Sequence, residues 1–124
     1  MVDDCEDNIL LMELLLHSEG YQVRCATSGI KGLVEVSYEP PDLIILDLMM
    51  PDISGLEVIR YLENKCDSAN IPIILLTANS NLRLEDVSGA TQLCYKPFNF
   101  ECFLDKIQST LFPQQQIDSF SLNL

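Results

Sequence analysis

An apolar run, Leu43-Ile44-Ile45-Leu46, carries one carboxylate, Asp47, to its end, and prolines 41 and 51 bound the segment. Apolar residues without polar alternation suit a strand buried on both faces, as inside a parallel sheet covered by helices. Asp47 then falls where the strand leaves the core. In open parallel α/β sheets ligands bind beyond the carboxyl ends of the strands, so Asp47 is the first candidate for chemistry.

The rest of the chain repeats this alternation. Val2 reads as the last residue of a first strand, with Asp3 and Asp4 at its end. Ile9, Met12 and Leu16 recur at helical spacing between Glu6 and Glu19, and Gly20 supplies the stop. Gln22–Ala26 reads as a short strand, and Ser28 caps a helix that ends before Pro40 and Pro41. Turn chemistry at Asp52-Ile53-Ser54-Gly55 precedes a helix over Leu56–Asn64. Pro72–Thr77 is a second apolar run, ending in a hydroxyl residue. Asn81–Ser88 is expected as a short helix closed by Gly89, Gln92–Tyr95 as a last strand, and Asn99 as the cap of a helix to about Leu111. Strands alternating with helices call for parallel strands joined by right-handed crossovers, a five-stranded α/β sandwich. One domain over residues 1–112 and a flexible, glutamine-rich tail over 113–124 are expected.

A net charge of -12 argues against nucleic acid and against anionic membrane surfaces. Five scattered cysteines with no C-x-x-C pair suggest neither a disulfide framework nor a zinc site, and fit reduced thiols in a cytoplasmic protein. The apolar stretch Ile9–Leu16, broken by Glu13, is too short to span a bilayer.

Aligned strands bring Asp3, Asp4, Asp47, Thr77 and Lys96 to one edge. Converging carboxylates repel unless a cation holds them ionised, and hard oxygen ligands with incomplete coordination suit Mg²⁺. A lysine and a hydroxyl opposite the metal would orient a phosphoryl group, whose transfer depends mainly on positioning and charge. Asp47 then reads as a nucleophile that accepts phosphoryl.

The series Asp3-Asp4, Asp47-Leu48-Met49-Met50-Pro51 with Gly55, Thr77-Ala78 and Lys96-Pro97-Phe98 resembles the receiver domain of two-component response regulators, over Met1 to about Leu111. The resemblance implies a flavodoxin-like (CheY-like) three-layer sandwich with strand order 2-1-3-4-5. It implies Asp47 as phosphoacceptor and also a Mg²⁺ ligand, Asp4 as the direct metal carboxylate, Asp3 assisting through water, and Met49 donating its backbone carbonyl. Thr77 and Lys96 would each take a phosphoryl oxygen, with Lys96-Pro97 cis, and Met49 and Asn79 would tune phosphate lifetime. The implied function is a stand-alone receiver whose phosphorylation by a sensor histidine kinase or phosphotransfer protein switches binding to a downstream protein. The donor is expected to dock on the first helix near Ile9–Met12 and on the loop after Lys96.

Three departures accompany the resemblance. Only Met1-Val2 stand for the first strand, which implies a chain that starts upstream or a destabilised sheet repaired by another chain, as in a homodimer. The segment from Thr77 to Gly89 is about one helical turn short, so a fourth helix there should be short or irregular. Leu93 stands three before Lys96, where the family usually has an aromatic, and Tyr95 is expected on the other face of the strand. The rivals are a degenerate receiver acting as an unphosphorylated interaction module and an aspartate-nucleophile phosphohydrolase. Met49 stands where such a hydrolase places its acid, and 124 residues hardly admit its cap.

Overall fold

The computed structural model describes residues 1–3, 5–65 and 70–112. Strands β1 (Ile44–Asp47), β2 (Ile73–Thr77) and β3 (Gln92–Tyr95) pair in parallel in that lateral order, with Ile45 opposite Ile74 and Leu75 opposite Leu93. Every residue of β1 and β2 is buried, as their unbroken apolar runs require.

The first strand is reduced to a single residue. Val2 bridges Leu46 on one side and Ala26 on the other, both in parallel. Val2 N–H donates to Ile45 O at 2.7 Å, Asp47 N–H to Val2 O at 2.9 Å, and Asp3 N–H to Ala26 O at 3.1 Å. The lateral order is therefore Ala26, Val2, β1, β2, β3, which is the expected order with two strands shrunk to bridges. Gln22–Ala26 is not the strand its sequence suggests. It has only Met1–Asp3 to pair with, too short a partner for a ladder.

Among the described residues four helices cover the sheet: α1 (Glu6–Ser18), α2 (Gly29–Tyr38), α3 (Gly55–Glu63) and α4 (Phe100–Leu111). Three start on a side-chain cap, Ser28 and Asn99 as expected and Ser54 out of the turn that precedes α3. Ser28 Oγ accepts from Lys31 N–H, Ser54 Oγ from Glu57 N–H, and Asn99 Oδ1 from Glu101 and Cys102 N–H. Strand alternation splits the core into two apolar layers. Ile44, Leu46, Ile73, Leu75 and Leu93 pack towards Val36 of α2 and Val58, Ile59 and Leu62 of α3. Ile45, Ile74, Leu76 and Cys94 pack towards Met12 and Leu16 of α1 and Phe103 and Ile107 of α4. Among the described residues, no helix is long and apolar enough to cross a membrane.

Two expectations need correction between β2 and α4. The Asn81–Ser88 helix is one 3₁₀ turn, Leu84–Asp86. Residues before it are committed to side-chain turns, Asn79 N–H to Thr77 Oγ1 and Asn81 N–H to Asn79 Oδ1, which compete with helix. Gly89 closes the segment at φ 94°, where a Cβ would also run into Ile59 and Glu63. Tyr95 does not face away from Leu93. Residues two apart on a strand share a face, and the Tyr95 hydroxyl donates to Leu82 O at 2.6 Å, beside the layer that holds Leu93.

Candidate functional site

The buried run of β1 delivers Asp47 to the strand's end with 6% of its surface exposed, and Asp3 and Thr77 are buried as deeply. β3 and the turn after it bring in Lys96. Its Nζ lies 2.9 Å from Asp47 Oδ2 and 3.7 Å from Asp3 Oδ2. Cys5 N–H donates to Asp3 Oδ1 at 3.0 Å and Met49 N–H to Asp47 Oδ1 at 3.3 Å, which fix each carboxylate from its own loop. The Lys96-Pro97 peptide is cis, as the resemblance implies.

Two buried carboxylates against one ammonium leave the described site short of positive charge. Burial pushes the Asp3 pKa up; the Cys5 N–H and Lys96 oppose the rise and the Asp47 charge adds to it. Burial also works against the Lys96 charge, but Asp47 and then Asp3 outweigh it and raise the Lys96 pKa. Such a site gains from a second cation. Its hard, anionic oxygens fit a divalent ion such as Mg²⁺ rather than a soft metal.

Asp3, Asp47, Thr77 and Lys96 are thus brought together as expected, with the Lys96 N–H donating to Thr77 O at 2.7 Å across the β2–β3 pair. Asp4, expected as the direct metal ligand, lies outside the described residues, as does the tail over 113–124. Met49 keeps an exposed side chain, consistent with a position where only the backbone matters. On α1, Ile9 and Met12 turn inward, and Leu10, Leu11 and Leu14 are the apolar side chains left exposed.

Two supports of the acceptor loop are visible only in three dimensions. Asp52 caps α2 from the loop after β1, accepting from Gly29 N–H at 3.1 Å and Ile30 N–H at 2.9 Å. The Ile30 N–H is the main cause that holds its carboxyl down to about 2. The bonds span 22 and 23 residues, so no local pattern announces them. Gly55 packs against the acceptor strand itself: a Cβ there would lie 2.7 Å from Asp47 O and 3.0 Å from Leu48 Cα. The glycine in the turn motif is therefore a close-approach residue.

Residues 1–108 match the response regulator receiver domain family. The polar-differentiation response regulator DivK of Brucella ovis is 32% identical over 114 residues, which cover 90% of this chain and 93% of DivK. The response regulator PleD of Caulobacter vibrioides is 34% identical over 112 residues, 88% of this chain but 25% of PleD. The chain thus spans about a quarter of that longer relative. Among solved structures, response regulator TrrA of Thermotoga maritima, in complex with Mg²⁺ and BeF, superposes with a TM-score of 0.78 at 39% identity, covering 89% of this chain and 95% of TrrA.

Proposed function

Because the chain belongs to the response regulator receiver domain family, we propose that it is a phosphorylation switch in which Asp47 accepts a phosphoryl group. The donor is a phosphohistidine of a sensor kinase or phosphotransfer protein. The observation that carries this reading is the Lys96 ammonium held at 2.9 Å from Asp47 Oδ2 beside a second buried carboxylate. That arrangement places a cation beside the nucleophilic carboxylate, where phosphoryl charge arrives.

In the transfer, an Asp47 carboxylate oxygen attacks phosphorus. The new O–P bond forms as the P–N bond breaks, and the imidazole nitrogen leaves with the electron pair. The carboxylate starts as an anion, so no general base is needed. Lys96 pairs with an oxygen of the incoming group, and the Thr77 hydroxyl, at the same edge on the neighbouring strand, donates to another. Asp3, Asp4 and the Met49 carbonyl would hold Mg²⁺, which when bound neutralises phosphoryl oxygens during transfer. Output follows as altered binding to a downstream protein.

The test is intact-mass analysis after incubation with Mg²⁺ and phosphoramidate, a small P–N donor. One phosphoryl adduct per chain supports the reading, and folded protein that gains none refutes it.

A further inference from the structure

Helix α2 turns one stripe into the core and a second one outward. Gly29, Gly32 and Val36 are buried, whereas Ile30, Val34 and Tyr38 are 55%, 62% and 86% exposed. The three are spaced four apart, so they form one ridge along the outer side of a helix about 15 Å long. A row of three large apolar groups differs from the scattered single ones of an ordinary surface, and marks a place where another surface docks.

The charges around this ridge decide what fits it. α2 carries one cation, Lys31, and one anion, Glu35, both exposed and both on the same flank of the ridge. The helix is therefore neutral in a chain of net charge -12. Arg24 adds a further cation beside Glu35, with Nη1 at 3.2 Å from Oε2. The exposed leucines of α1, Leu10, Leu11 and Leu14, share their helix with Glu6, Asp7 and Glu13 and with no lysine or arginine, so a second acidic chain is repelled there. On α2 the two charges also stand in the order that an antiparallel copy needs. A two-fold axis beside Val34 keeps each flank on its own side and reverses its direction, which sets Lys31 of one copy alongside Glu35 of the other, twice.

We propose that the face of α2 formed by Ile30, Val34 and Tyr38 binds the same face of a second copy of this chain, antiparallel, about a two-fold axis at Val34. Val34 meets its counterpart at the axis, and Ile30 of each copy packs towards Tyr38 of the other. Ridges of residues four apart interdigitate at about −50°, the commonest crossing of packed helices. A face of three turns belongs to the small interfaces, below roughly 1,200 Å² in total, so the dimer is weak and forms as protein concentration rises. Ile30, at the head of the ridge, is tied to the acceptor loop, its N–H donating to Asp52 Oδ2 at 2.9 Å. Antiparallel pairing therefore sets the two Asp47 edges at opposite ends of the dimer and leaves both open.

Sedimentation velocity of the full chain from micromolar to millimolar concentration tests this, with circular dichroism to show that each variant is folded. The expected result for the parent is a monomer–dimer equilibrium. Val34→Glu sets two carboxylates face to face at the axis and should weaken dimerisation about tenfold or more. Lys31→Glu and Glu35→Lys should each weaken it too. An equimolar mixture of those two variants should restore the dimer, because every flank pair then joins unlike charges. A chain that stays monomeric at all concentrations overturns the proposal, whether residues 113–124 or a different protein then covers the ridge. A dimer that Val34→Glu leaves unchanged overturns it as well, since the copies then meet elsewhere. So does a mixture that associates no better than its components. None of these outcomes depends on phosphoryl transfer to Asp47.

Discussion

The Lys96 ammonium lies 2.9 Å from Asp47 Oδ2 although 49 residues separate the two in the chain. The contact spans the whole of β2 and makes Lys96 the counter-charge of two carboxylates, since Asp3 Oδ2 is 3.7 Å from the same nitrogen.

Removing that ammonium should therefore cost folding stability before any phosphate is involved. Lys96→Met leaves Asp3 and Asp47 facing each other in a desolvated site. Breaking a fully buried pair costs about 3–5 kcal/mol, and the 27% exposure of the Lys96 side chain reduces the expectation to about 1–3 kcal/mol. Urea unfolding near neutral pH without divalent ions measures it. An unchanged midpoint would mean the ammonium is not compensating the carboxylates.

Mg²⁺ should stabilise the fold through the same carboxylates. A ligand at a hundred times its Kd adds about 2.7 kcal/mol to the folded state. Asp3→Asn removes a carboxylate expected to act through water, and such outer partners are worth about 10–100-fold in metal affinity. The check is the thermal midpoint of parent and variant against Mg²⁺ concentration. Coincident curves would remove Asp3 from the metal site.

Asp52 predicts an acid-limb titration well apart from the site. Its folded pKa is depressed to about 2 from an ordinary 3.8, so its clamp on α2 contributes fully above about pH 4. The contribution fades as pH falls through about 2. A carboxyl carbon NMR titration should place the Asp52 midpoint near 2. A midpoint at the ordinary aspartate value would show that Gly29 and Ile30 do not donate to it in solution.

Gly55→Ala should disturb the acceptor loop without touching a charged group. The added methyl meets Asp47 O and Leu48 Cα, both backbone atoms that cannot swing aside. Overpacking of this kind costs about 1–3 kcal/mol. Phosphoramidate labelling should slow about tenfold or more, because small misplacements at a reacting group are costly. Parent-like stability and labelling rate together would contradict the close approach.

The sequence was most legible where one local pattern had a single physical solution. Unbroken apolar runs at Ile44–Asp47 and Ile73–Thr77 admit little but buried parallel strands, and Ser28 and Asn99 sit where helices need side-chain acceptors. Gln92–Tyr95 and the helix to Leu111 lie where their patterns place them. The pattern over Gln22–Ala26 failed because a strand is a property of two chains, and Met1–Asp3 is too short a partner. The shortening of the fourth helix was legible, but its extent over Asn81–Ser88 was not, because Thr77 and Asn79 side chains capture the N–H groups ahead of it. The placement of Asp3, Asp47, Thr77 and Lys96 at one edge was legible from the strand ends. The Asp52 clamp and the Tyr95 contact with Leu82 were not, since each joins segments that no periodicity relates.

The central claim is that Asp47 itself carries the phosphoryl group, and localising the modification tests it most directly. Protein labelled with phosphoramidate and Mg²⁺ is reduced with borohydride, which converts an aspartyl phosphate to homoserine, and then mapped by peptide mass spectrometry. Homoserine at position 47, absent from unlabelled protein and from Asp47→Asn, is the expected result. Conversion at another carboxylate, or none in protein shown to be folded, would contradict the account.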